Sequence, residues 1–141
     1  MACKTLNAEI DGHAVFVMQW PATKAMEMQA KLLSTLGSDV LPLIHGEWKF
    51  GHLVRLMMNT TEPKAFVSLV KEFIVCARVD GAEVTPATFD FTYSGDLMLA
   101  YKIFAFACEA QFKDFFSQGL EMQEADKARE QVTQAATAEL K

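Results

Sequence analysis

The side chains best able to do chemistry in this chain are three histidines, three cysteines and a scatter of carboxylates. His45 and His52 stand seven residues apart across a glycine-bounded loop. A metal ion needs further Cys, Asp or Glu ligands at defined spacing. No HExxH, CxxC or carboxylate cluster accompanies the pair, so both read as surface or loop residues. His13 follows a turn glycine and reads as solvated. A cysteine nucleophile needs its pKa lowered by a base, a cation or a helix N-terminus. Cys76 and Cys108 lie late in apolar helical stretches, where burial raises it instead, and Cys3 sits near the chain end. Three widely spaced cysteines suggest neither a disulfide framework nor a redox pair, a usage that fits a reducing cytosol. No serine has a GxSxG setting, and the glycines are scattered singly, so none forms a phosphate-cradling loop. Asp39, Glu47, Asp80, Glu83, Asp90 and Asp96 fall near turns, where carboxylates cap helices and favour turns. No catalytic, metal-binding or cofactor-binding residue is assigned, and the chain reads as non-enzymatic.

The apolar residues say more. There are 11 Phe and 8 Met in 141 residues. Phe104, Phe106, Phe112, Phe115 and Phe116 belong mostly to a core. Yet the adjacent Phe115 and Phe116 cannot both point into one small core. Aromatics and Met are enriched at protein interfaces, and Met adapts to varied partners. Phe112, Phe115, Phe116 and Met122 are therefore the candidate protein-binding residues.

The elements that must position them are legible from periodicity. Lys4 to Ile10 and Ala14 to Trp20 flank Asp11-Gly12, a hairpin signal. Both faces of the second run are largely apolar, so at least one should be covered by helices. Pro21 opens a helix that Gly37 stops, and Ser38 or Asp39 caps a short helical turn through Ile44. Residues 52–58 read as helical. Asn59 to Glu62 break that segment and cap a helix from Pro63 to about Cys76, with Phe66, Leu69, Val70, Phe73 and Ile74 on its apolar face. Asp80-Gly81 marks a second small hairpin. Phe89 to Tyr93 reads either as extended or as leading straight into the last element. The helix from Leu97 to about Ser117 is apolar around most of its girth, as in a helix buried at the centre of a fold or in an assembly. From Glu121 onward only Met122, Val132 and Leu140 interrupt a polar, alanine-rich sequence of high helix propensity.

The expectation is an α+β, predominantly helical fold: an N-terminal β-hairpin, four to five helices, a second small hairpin, a long apolar penultimate helix and a polar C-terminal helical tail. Residues 1–119 form one globular domain and 120–141 a helical or partly disordered tail. A chain of this length buries roughly two-thirds of its unfolded surface without needing a metal or disulfide. The formal charge of −5 and the absence of a Lys/Arg cluster argue against nucleic acid and an anionic membrane surface. No run of about 18 apolar residues spans a membrane, and the first residues have no signal-peptide character.

Four stretches carry a family resemblance. They are the hairpin leading into Trp20-Pro21-Ala22-Thr23-Lys24-Ala25 and a helix ending Leu36-Gly37; the Pro63 to Ile74 helix running into Val79-Asp80-Gly81; the Phe89-Asp90 to Gly95 approach; and Glu109-Ala110-Gln111-Phe112-Lys113-Asp114-Phe115-Phe116. Together the chain resembles the phage tail assembly chaperones of siphophage type. The resemblance implies a protein without cofactor that binds the tape-measure protein and keeps it soluble in the host cell cytoplasm. The major tail protein and a second copy of the chain (a homo-oligomer) are the other partners it suggests. In that family a programmed frameshift can append an extension past the globular part. The alternative of similar size is a structural tail or connector component of the virion; a small enzyme or ligand carrier with a Phe/Met-lined pocket is the third.

Overall fold

The computed structural model describes residues 4–139, with side chains through Thr133; Cys3 and Leu140, considered above, lie outside them. Two strands, β1 (Thr5–Ile10) and β2 (His13–Met18), are joined by Asp11-Gly12. Asp11 and Gly12 both have positive φ, 51° and 82°, the backbone of a two-residue turn whose twist matches the strands. Asp80-Gly81 repeats the device between β3 (Ala77–Val79) and β4 (Ala82–Glu83). The four strands form one antiparallel sheet in the order β1-β2-β3-β4.

Register fixes which face is wet. Leu6 lies opposite Val17 and Ala8 opposite Val15, while Asn7 lies opposite Phe16 and Phe16 opposite Arg78. Because side chains alternate, Val15, Val17 and Ala77 go to the helices and are buried. Ala14, Phe16 and Met18 stay on the outer face. The expectation that helices cover at least one face holds, and among the described residues they cover one.

The helices are α1 (Ala22–Leu36), a 3₁₀ turn at Gly37–Val40, α2 (Leu41–His45), α3 (Phe50–Met58), α4 (Pro63–Ile74), α5 (Phe89–Tyr93) and α6 (Leu97–Glu139). Pro21 caps α1, and Gly37, at φ 68°, ends it by donating its N–H to the Leu33 carbonyl. Asp39 does not cap the following turn; its carboxylate accepts from the Asn59 side chain at 2.6 Å and ties two segments together. Asn59 to Thr61 do not cap α4 either. Glu62 is its first flanking residue, without a side-chain bond, and the Thr60 hydroxyl bonds back to the Leu56 carbonyl. Phe89 to Tyr93 is neither extended nor continuous with the last helix. It is a separate turn of helix, offset by Gly95 at φ 87°. Asp96 then accepts from the Leu99 N–H and caps α6.

The fold is thus α+β and mostly helical, with α6 at its centre. Ile103, Phe104, Ala107 and Cys108 are wholly buried where α6 meets α2, α4 and the first hairpin. Phe73 of α4 is a hub, its ring 5.1 Å from Trp20, 5.6 Å from Phe104 and 6.0 Å from Phe112. One structural difference from the sequence reading stands out. The apolar helix and the polar tail are one uninterrupted helix of 43 residues. Gly119 costs about 1 kcal/mol against alanine inside a helix. Its neighbours Gln118, Leu120, Glu121, Met122 and Gln123 are good helix formers, and the helix runs through.

Candidate functional site

The candidate site lies where α6 leaves the body of the fold. Polar clamps hold the helix there. The Gln111 side chain donates to the Met18 carbonyl at 3.0 Å and accepts from the Trp20 N–H at 2.9 Å. The Gln19 side chain donates to the Ala110 carbonyl at 2.9 Å. On the side of β2 away from β1 the pairing with β3 stops at Val17, and Gln111 satisfies the Met18 carbonyl and the Trp20 N–H instead, while Gln19 satisfies a carbonyl of α6. Lys4 adds an exposed ion pair to Asp114 at 3.6 Å. Nothing in the sequence marks these glutamines, because Gln111 and Gln19 are 92 residues apart in chain order and neither type has a positional signature.

Beyond the clamp, the four candidate residues separate. Phe112 is 3% exposed and packs on Phe73 and Trp20, so it belongs to the core and offers no surface to a partner. Phe116, one turn on, is half-buried against the same core. Phe115 is 58% exposed and Met122 66% exposed. The Phe115 and Phe116 rings meet edge to face at 5.1 Å, so the buried member holds the exposed one in place. Leu120, about half exposed, extends the line through Phe112 and Phe116 at i, i+4, i+8. Phe115 and Met122 lie seven apart on a neighbouring line. Every residue from Gln118 to Thr133 is exposed. The helix from Gln118 to Glu139 is about 30 Å long at 1.5 Å per residue. It forms an arm with an apolar base and a charged outer part.

A second exposed apolar area escaped the sequence reading: Phe16 and Met18 on the outer sheet face. The signal was available in the near-continuous apolar run of β2. Assigning its outer half to solvent required the register.

The polar residues considered for chemistry are dispersed. His13 is not simply solvated. Its Nδ1 lies 2.7 Å from Asp80, because β2 and β3 pair so that the two hairpin turns abut; Asp80 also accepts from the Ala14 N–H. The hydrogen bond to Asp80 raises the His13 pKa above its ordinary 6.5 and lowers that of Asp80 below 3.8. His52 accepts from the Lys49 N–H at the start of α3. Burial pushes the Cys76 thiol up to about 11 and that of Cys108 well above its usual range. Both are therefore protonated at neutral pH and poor nucleophiles. Among the described residues no group of three His, Cys, Asp or Glu side chains comes together to hold a metal ion. No helix among them is long and apolar enough to cross a membrane.

A family model described as phage tail assembly chaperone protein matches residues 11–123. No curated protein and no solved structure matches the chain.

Proposed function

The chain belongs to the phage tail assembly chaperone family, and from that membership we propose that it is a non-enzymatic chaperone that binds the tape-measure protein and keeps it soluble in the host cytoplasm. The observation that carries the choice of surface is the exposed pair Phe115 and Met122 at the base of the α6 arm. A tape-measure protein is long and helical, with apolar stripes that aggregate when uncovered. A helical arm with an apolar base suits packing against such a stripe, as in helix-in-groove recognition. Several copies along one partner would add through multivalency, so each contact can be weak. Weak contacts also allow displacement by the major tail protein as the tube assembles. Nothing in this scheme calls for nucleotide, metal or covalent chemistry.

The test is co-expression with the tape-measure protein. The chain should raise its soluble fraction and be absent from finished tails. The double variant Phe115→Asp with Met122→Asp should remain folded by circular dichroism and lose the effect. Unchanged solubilisation by that variant would refute this surface. Retention of the chain in purified particles would favour the structural-component reading instead.

A further inference from the structure

The strand β1 is one of the two edge strands of the sheet, and the longer of them. Its two-residue turn makes Ile10 and His13 a hydrogen-bonded pair. Pairs alternate from there, so Leu6 and Ala8 also bond to β2, and the Gln19 N–H to Lys4 carbonyl bond of 2.8 Å keeps the same phase. The N–H and C=O groups of Asn7 and Glu9 therefore point away from the sheet. An unpaired row of this kind is a template for another strand.

That edge opens onto a cleft of about 340 Å³ between β1, α2 and α6. Three successive β1 residues, Ala8, Glu9 and Ile10, line it together with Asp11 of the turn. Successive side chains alternate faces, so the backbone edge itself forms a wall. Trp48 and Phe106, both half-buried, supply an apolar floor. Lys102 is committed to Asp11 at 2.8 Å. Glu109 is committed to no group among the described residues. Its carboxylate folds over Gly46, where any Cβ would collide with it. It makes no hydrogen bond or ion pair among the described residues. A half-buried, uncompensated carboxylate beside aromatic rings is a receptor for a cation.

We propose that this cleft is a second protein-binding site, taking an extended polypeptide segment as a fifth strand on β1, with a Lys or Arg side chain over Glu109 and an apolar side chain against Trp48 and Phe106. Backbone bonds to Asn7 and Glu9 supply affinity, and alternate side chains supply selectivity. A basic segment complements both Glu109 and the net charge of −5. The site shares no residue with the Phe115 surface and stands whether or not that surface binds a tape measure.

A suitable probe is the peptide Ac-Ser-Val-Thr-Lys-Thr-Val-Ser-NH2, whose Val, Lys and Val share one face in either strand direction. Titrated into the ¹⁵N-labelled full chain, it should shift the amides of Asn7 and Glu9 and slow their exchange. Replacing the peptide's Lys by Glu, or Glu109→Gln in the protein, should each weaken binding about fivefold, the scale of a partly exposed ion pair. Trp48→Ala should weaken it further, and Phe115→Asp should leave it unchanged. Absence of binding at millimolar peptide, equal binding of the Lys and Glu peptides, or shifts confined to other residues would overturn the proposal. Exchange protection of Asn7 and Glu9 in a concentration-dependent dimer without peptide would assign the edge to a second copy and overturn it too.

Discussion

Truncating Phe112 and Phe115 to alanine, three residues apart on one helix, should have very unequal consequences. Phe112 is 3% exposed and touches the rings of Phe73 and Trp20. A buried aromatic hides about 200 Å², which at about 25 cal/mol per Å² is worth about 5 kcal/mol. That figure is an upper bound, since the unfolded chain already hides part of this surface. Alanine keeps the β-carbon, but the vacated space and the lost edge-to-face contacts add back to the cost. The expected loss is about 4 kcal/mol, within the range for core Phe→Ala changes and a large share of a total of about 5–15 kcal/mol. Phe115, 58% exposed, has less than half its surface to lose, and its loss should be about 1 kcal/mol. Urea unfolding followed by tryptophan fluorescence reads the difference, because Trp20 lies against Phe112. With a slope of about 2 kcal/mol per M, Phe112→Ala should lower the midpoint by about 2 M and Phe115→Ala by about 0.5 M. Equal shifts, or a cost below about 1 kcal/mol for Phe112→Ala, would refute the division of this helix end into core and surface.

Three further outcomes are expected. His13, its pKa raised by Asp80, should stabilise the fold below about pH 6.5, and this contribution should fade as pH rises through the folded pKa. Asp80, its pKa lowered by His13, should contribute above about pH 3.8, and this should fade as pH falls through its folded pKa. The gap in melting temperature between the native chain and His13→Gln should thus be widest between those values; a gap growing above pH 8 would contradict the pairing. Gly46→Ala meets both a φ of 76° and the Glu109 carboxylate. It should cost about 1–3 kcal/mol in denaturant unfolding, with Glu109→Ala recovering the steric part; strictly additive losses would exclude the clash. The Tyr93 hydroxyl is buried without a hydrogen-bond partner among the described residues, and burial raises its pKa. Tyr93→Phe should therefore be neutral or stabilising by about 1 kcal/mol, and a loss of more than about 1 kcal/mol would reveal a bond that the fold conceals.

Much of this architecture is legible in the sequence. Both Asp-Gly hairpins, the Pro21 and Pro63 helix starts and the apolar face of α4 follow from local rules: positive φ, fixed proline φ and a 3.6-residue period. What escaped was non-local or balanced between alternatives. The change to polar sequence at Glu121 left the end of the apolar helix at about Ser117, whereas the helix runs on through Glu139. Phe89 to Tyr93 carried signals for two conformations. At the candidate site, the prediction that Phe115 and Phe116 face differently needed only their adjacency, since neighbouring helical residues diverge by about 100°. Which one faces inward, and that Phe112 belongs to the core, depended on where α4 and Trp20 sit.

The sequence by itself determined both Asp-Gly hairpins, the helix starts at Pro21 and Pro63 and the apolar girth of α6, because each of these is written in residue type and short-range spacing. Only the tertiary structure decided that Gln111 clamps α6 to the end of β2, that Asp80 reaches His13, that Phe16 and Met18 remain outside, and that Glu109 lines the cleft beside β1 without a partner among the described residues. Those pairings span tens of residues. They are chosen by strand register and helix packing, which emerge from burying all the apolar faces at once and from no single stretch of chain.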